Sequence, residues 1–512
     1  MKLYKKYIYG FAFLAASLSS CTGDLNVTPI DPNLNTPDKV LTSESDYKAL
    51  LSKCYSALSV SSPEGSSGSP DIAGIDGGFG QYLRALFNLN ELPTDEAVIG
   101  WNDQTIKDLH GLSWSSSDVF VSAMYGRLFY QIALCSEVVR QIKASGDTSD
   151  EMKTYAAEAR CLRALSYYHA IDMYGNVPFV TEDQAIGGTN PKQISRADLF
   201  KWLTEEEIPG FIDDLKPART NESYRADQGL AYMIMAKLYL NAEVYTGTPM
   251  YDKCAEYCQK IIDAGYTLEP TFANLFKGDN DKCLSNEIIF SVYQDEYNTQ
   301  AYGGTTYLVL GSIGGSMKPA DYGLTASGWG GLRVTPQFVD KFSSGDVRGN
   351  FYTKGQTKDI ADISEFTNGY AYPKYTNLNS DGTSGEQGNF VNADFVIFRL
   401  ADVYLMMAEC QLRGVNVDGL KYFNLVRKRA GVGTKTSITL DDVLDERARE
   451  LAWECHRRSD LVRFGELTTD KYIWAWKGKV KDGISVDSKY NLYPLPSSDV
   501  NANTNLTQNT GY

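Results

Sequence analysis

Trp101, Tyr302 and Trp329 each stand beside glycine, in GWNDQ, AYGGT and SGWGG. Small neighbours leave a ring face open. An open ring face suits the weakly polar CH face of a pyranose, with Arg, Asn or Asp at the rim to bond its hydroxyls. Core packing would use any one of these rings equally well, so the pattern alone leaves both readings standing. A catalytic set is harder to assemble. The three histidines, His110, His169 and His456, lie in no metal-type pair, and His169 and His456 read as helix-interior residues. There is no GxSxG, HExxH or P-loop pattern. A glycosidase needs only two carboxylates, and Glu91, Asp95 and Glu96 in NELPTDEAVIGWND are the natural candidates. The favoured expectation is that they cap turns around Pro93 and accept from nearby backbone N–H groups.

Charge and cysteine use exclude further classes. The net charge is −15, and −18 without Lys2, Lys5 and Lys6. With no basic runs, such a chain is a poor nucleic-acid binder. Apart from Cys21, eight cysteines occur, mostly at apolar positions of helical stretches. Cys254 and Cys258 share a helix face, but no histidine or second pair lies near them to make a zinc site. In 445–463 the spacings Asp445–Arg449 and Glu454–Arg458 predict helix-surface ion pairs within a structural network.

The elements that must position these residues are mainly helical. Tyr155, Ala159, Leu162, Leu165, Tyr168 and Ile171 recur every three or four residues, as do Val396, Leu400, Val403, Met407 and Cys410. Segments 229–264, turning at 246–249, and 396–430, turning at Gly414, predict helix–turn–helix pairs close to the ~34-residue tetratricopeptide unit. Stretches 118–143 and 151–173 predict another. Between them, 61–117 and 298–393 are rich in Gly, Ser, Asn, Asp and aromatics, the composition of long ordered recognition loops.

The start of the chain has its own chemistry. Residues 1–20 read as a signal peptide, with Lys2, Lys5 and Lys6 before the apolar stretch from Ile8 to Leu18. Leu18-Ser19-Ser20-Cys21 matches a lipobox, which predicts cleavage before Cys21 and diacylglycerol on its thiol. Residues 21–36 read as a lipidated tether and 37–512 as the folded domain.

Several long motifs occur in one order: EARCLRALSYYHAIDMYGNVPFV at 158–180, RADQGLAYMIMAKLYLNAEVYTG at 225–247, FRLADVYLMMAEC at 398–410, ERARELAWECHRRSDLVRFG at 446–465 and LYPLPSSDVNANTNLTQNTGY at 492–512. Together they resemble the SusD/RagB family of outer-membrane glycan-binding lipoproteins. NELPTDE at 90–96, YGGTTYLV at 302–309, SGWGG and TTDKYIWAWKG at 468–478 are most similar to its starch-binding founder. The resemblance implies an all-α fold, with four tetratricopeptide-like helix pairs packed against a large loop-rich region. It implies no enzymatic activity, no cofactor, and an oligosaccharide or polysaccharide ligand. It also implies a lid role on a SusC-like TonB-dependent transporter, and a lipid-anchored address on the outer membrane facing the cell exterior. An aromatic arc for starch would fall on Trp101, Tyr302 and Trp329, a hydrogen-bonding arginine on Arg84, and an asparagine on Asn102 or Asp103. Another glycan, or a lid for a non-glycan nutrient, stays open as an alternative. GDNDK at 278–282 resembles the start of a calcium loop, but Asp279 and Asp281 alone supply too few oxygen ligands.

Overall fold

The computed structural model describes residues 36–184 and 187–512. The signal segment, Cys21 and the tether up to residue 35 lie outside the described residues. Among the described residues, those up to Tyr47 and those from Lys48 onward form two units.

The helix pairs form where periodicity predicts them. Helix α1 spans Glu44–Ser59 and α2 spans Tyr82–Glu91, followed by strand β1 (Val98–Ile99) and α3 (Gln104–His110). Helix α4 (Val119–Ser145) packs along α5 (Asp150–Met173). Asp118 caps α4 by accepting from the N–H groups of Phe120 and Val121, and Gly146 ends it in a left-handed turn at φ 70°. After the short β2 (Val177–Pro178) and β3 (Gln193–Ile194), α6 (Gln228–Leu240) pairs with α7 (Tyr251–Asp263). Gly247, at φ 78°, makes the expected turn between them. Strand β4 (Ile288–Val292), α8 (Gly304–Ser312) and β5 (Leu332–Arg333) precede β6 (Phe395–Arg399). Helix α9 (Leu400–Leu412) then pairs with α10 (Gly419–Arg429), and a shorter fourth pair follows, α11 (Leu440–Leu451) with α12 (Arg457–Arg463). Because α5 also packs on α6, and α7 on α9, successive pairs stack as in a solenoid. The fold is all-α, as the resemblance implies.

Three sequence readings change. Val396 belongs to β6 and not to the helix, because FVIFR is buried along its whole length and pairs antiparallel with β4. His456 sits at the N-cap of α12 and not inside a helix. The expected surface pairs of 445–463 do not form. Helix α11 ends at Leu451, Trp453 and Cys455 take positive φ, and the charges face other elements. Glu454 binds Arg399 at 2.6 Å and Lys374 at 2.6 Å, Arg458 binds Asp172, and Asp445 binds Lys341 at 2.6 Å. Arg399 also meets Glu450 at 2.6 Å and Glu287 at 2.9 Å, which welds β6, α11 and the start of β4 into one buried network.

Candidate functional site

A two-residue strand pairing builds the site. Val98 and Ile99 of β1 register antiparallel with Arg333 and Leu332 of β5, and Gly100 N–H donates to the Gly331 carbonyl at 3.1 Å. This brings GWND against SGWGG. The second segment hangs on the end of α8, where Trp329 N–H donates to the Leu310 carbonyl at 2.7 Å and Gly331 N–H to that of Gly311 at 2.8 Å. Tyr302 lies just before α8. Gln81 ties α8 to α2, because its Oε1 accepts from both Arg84 N–H at 3.0 Å and Gly304 N–H at 3.1 Å.

The three rings form a continuous bent surface. The centroids of Trp101 and Trp329 are 6.2 Å apart with planes at 53°, and those of Trp329 and Tyr302 are 6.1 Å apart at 57°. Trp101 and Trp329 are half-buried and Tyr302 is exposed. Trp101 Nε1 donates to the Trp329 carbonyl at 3.4 Å. The glycine in SGWGG has a definite reason here. A Cβ on Gly331 would come within 2.6 Å of the Trp101 indole, so the ring can lie across this backbone only if residue 331 has no side chain.

Arg84 completes the assembly. Its Nη1 donates to the Tyr302 carbonyl at 2.9 Å, and its guanidinium lies 4.4 Å from the Tyr307 centroid and 5.7 Å from that of Trp101. Arg84 Nε is buried with no hydrogen-bond partner. Burial lowers the arginine's pKa, while Tyr307, Asp76 and Asp103 act in the opposite direction. The structure thus brings Trp101, Tyr302, Trp329 and Arg84 together. Asn102 and Asp103 follow Trp101 on the exposed approach to α3, where Asn102 Oδ1 accepts from Lys107 Nζ at 2.5 Å. Two supports lie outside the residues expected from the sequence: Tyr307 against Arg84 and Trp101, and Phe390, whose ring centroid is 5.5 Å from that of Tyr302. Tyr307 lies within YGGTTYLV and could have been flagged there, whereas Phe390 sits in an aperiodic loop with no local signal.

Glu91, Asp95 and Glu96 do not cap the turn at Pro93 as expected; their carboxylates are buried and face the 455–472 segment instead. Asp95 is buried, bonded to Arg457 Nε at 2.7 Å and Tyr472 OH at 2.7 Å. Glu91 and Glu96 are also buried; Glu91 Oε1 accepts from Cys455 N–H at 2.6 Å, and Glu96 Oε1 lies 3.5 Å from Arg457 Nε. Burial raises the Glu96 pKa to about 8, and that of Glu91 as well, because ionised carboxylates are poorly solvated there. His110 is held between the carbonyls of Leu92 and Ala475, at 2.8 and 3.1 Å. His169 bonds Tyr82 OH at 2.9 Å. Cys254 and Cys258 are buried with sulfurs 4.0 Å apart. Asp279 accepts from Lys282 Nζ at 2.7 Å and Ser380 N–H at 2.7 Å, so a cation there would have to displace that lysine.

The SusD family model matches residues 346–512. The sequence is 35% identical to the starch-binding protein SusD of Bacteroides thetaiotaomicron, over 98% of this chain and 97% of the relative. It is 24% identical to SusD-like protein P2 of Formosa agariphila, over 99% of this chain and 100% of that protein. Among solved structures, surface glycan-binding protein A from Bacteroides thetaiotaomicron, in complex with laminarihexaose, superimposes with a TM-score of 0.70. That match has 22% identity and covers 91% of this chain and 100% of the other, a likeness of fold.

Proposed function

The chain belongs to the SusD family, and on that premise we propose that it is a lipid-anchored cell-surface protein that captures starch-type oligosaccharides and passes them to a SusC-like TonB-dependent transporter. It is a binding protein and not an enzyme: its relatives carry binding names, and the carboxylates best placed by sequence for hydrolysis are sealed from solvent.

The bent arc carries the choice of glycan. Each ring plane turns by more than 50° from the last. A flat, extended chain would meet one such ring face at a time. An α-1,4-glucan coils, and its successive pyranose faces turn to follow the arc. Arg84 lies beside the arc, where its Nη1 already donates to the Tyr302 carbonyl, and the rest of its guanidinium supplies donors of the kind that sugar hydroxyl oxygens accept. Asn102 and Asp103 extend the polar rim.

Calorimetry against maltoheptaose, laminarihexaose, a fructan, a mannan and a xylan tests this reading. Tightest binding to maltoheptaose is expected. Replacing Trp101, Tyr302 or Trp329 by alanine should cost about 2 kcal/mol each, the scale of an aromatic hot spot. If all three variants bind like the wild type, the site assignment is wrong. Preference for another glycan would keep the binding role and reject starch.

No helix among the described residues is long and apolar enough to cross a membrane. The proposed anchor is diacylglycerol on Cys21, which supplies two acyl chains at about 0.8 kcal/mol per buried CH₂. Cys21→Ser should move the protein from the membrane fraction to the soluble fraction. The transporter partnership is tested by co-purification of a β-barrel with the lipidated protein from solubilised outer membranes.

A further inference from the structure

Among the described residues, the aromatic side chains that are exposed are Tyr293, Tyr297 and Tyr302, at 38%, 52% and 38%. All three fall in the single loop from the end of β4 to the start of α8. Rings left in water cost hydrophobic stabilisation, and their concentration in one loop marks a surface that expects a ligand. Tyr302 belongs to the arc. Tyr293 instead walls a separate cavity of 350 Å³, with Leu58, Tyr224, Phe290, Val292 and Asn298. That volume lies in the range of small-molecule sites. The Tyr224 ring meets Tyr293 edge-on at 5.0 Å and 63°. Tyr224 holds a positive φ of 67°, a conformation that costs a bulky residue energy and that tends to persist at ligand sites.

One side chain, Gln81, bonds the segments that line the cavity and those that hold the arc. Gln81 Nε2 donates to the Leu58 carbonyl at 2.8 Å on the cavity side, while its Oε1 takes Arg84 N–H and Gly304 N–H on the arc side. Ser59 Oγ donates to the Tyr293 carbonyl at 2.7 Å, and Gln294 Nε2 donates to Ser59 Oγ at 2.8 Å.

The chemistry of the cavity selects its ligand class. Its one cation, Arg225, is neutralised by Glu158 at 2.5 Å and Glu222 at 3.1 Å, so no net charge invites a phosphate or carboxylate. Aromatic walls with Asn298, Thr299 and Arg225 repeat the composition of the arc: ring faces beside amide, hydroxyl and guanidinium groups. We propose that this cavity is a second glycan subsite, taking one or two pyranose units of a neutral glycan beside the Tyr302 arc. It rests on the glucan-binding reading above and adds a site to it.

Maltoheptaose calorimetry on the mature chain separates the two. With Trp101, Tyr302 and Trp329 all replaced by alanine, saturable binding should persist, some 10- to 100-fold weaker than in the wild type. Adding Tyr293→Ala to that background should abolish it, as should Asn298→Ala, an exposed position whose side chain bonds within its own loop, to Asp295 at 2.8 Å. An arc-less variant that binds nothing, beside a wild type that binds normally, overturns the subsite and leaves the arc standing. Residual binding that survives both Tyr293→Ala and Asn298→Ala also overturns it. A wild type with no affinity for the glucan defeats the arc reading itself, and the subsite with it.

Discussion

Gly331 matters to the site as much as the rings do. The space its missing side chain leaves is filled by the Trp101 indole, so Gly331→Ala must push that ring off its seat. Gly331 is not among the glycines with positive φ, so alanine there brings no left-handed strain and the fold should survive. The expected result is about a tenfold loss of maltoheptaose affinity, about 1.4 kcal/mol, with an unchanged melting temperature. Arg84 offers a complementary test. Arg84→Met keeps the stem packed against Tyr307 but removes every donor, and should weaken binding by about 1.5–3 kcal/mol, the range of a charge-assisted hydrogen bond. Equal affinity in that variant would remove Arg84 from the site.

At the scale of elements, buried charges do the joining that surface pairs do in an isolated helix. Arg399 at the end of β6 satisfies Glu287, Glu450 and Glu454, and Glu450 in turn takes Arg348 at 3.0 Å and Arg429. Burial is the largest single effect on Glu450 and pushes its pKa up, but the combined attraction of Arg429, Arg399 and Arg348 outweighs it and holds the carboxyl far below the ordinary carboxylate range. Arg399→Met should therefore cost about 3–5 kcal/mol in chemical denaturation, since it strands buried carboxylates. A loss under about 1 kcal/mol would mean the network contributes little. The cap of α4 is a milder case: Asp118→Ala should cost about 1 kcal/mol by freeing the N–H groups of Phe120 and Val121.

For the whole molecule, the pH dependence of stability has two limbs of opposite sign. The folded pKa of Glu96, about 8, lies above its unfolded value near 4.5. Its contribution is therefore full below about pH 4.5 and lost as pH rises through about 8. Glu91, Asp95, Arg457 and Lys374 surround it, and Arg457 and Lys374 only partly offset burial. The depressed carboxylates Asp402, Glu450 and Asp460 act oppositely, stabilising above their unfolded pKa and failing in acid. Thermal melting should peak at about pH 5 and decline from there to about pH 8. Glu96→Gln should flatten that decline; an unchanged decline would show that another group titrates there.

What was legible from sequence was local. Helix pairs at 118–173, 229–264 and 400–430 follow from side chains three and four residues apart, a pattern written into neighbouring positions, and Gly247 and Gly414 mark turns that need a left-handed backbone. The glycine-flanked loops and the family resemblance point to the arc residues, whereas spacing alone leaves each as apt for the core as for a ligand. Tertiary structure decided the rest. Trp101 and Trp329 lie 228 residues apart and meet because β1 pairs with β5, a match of two residues too short to show as a strand pattern. Glu454 and Arg458 left their local spacing for Arg399 and Asp172 because burial makes a charge seek the nearest opposite charge in space, wherever the chain supplies it.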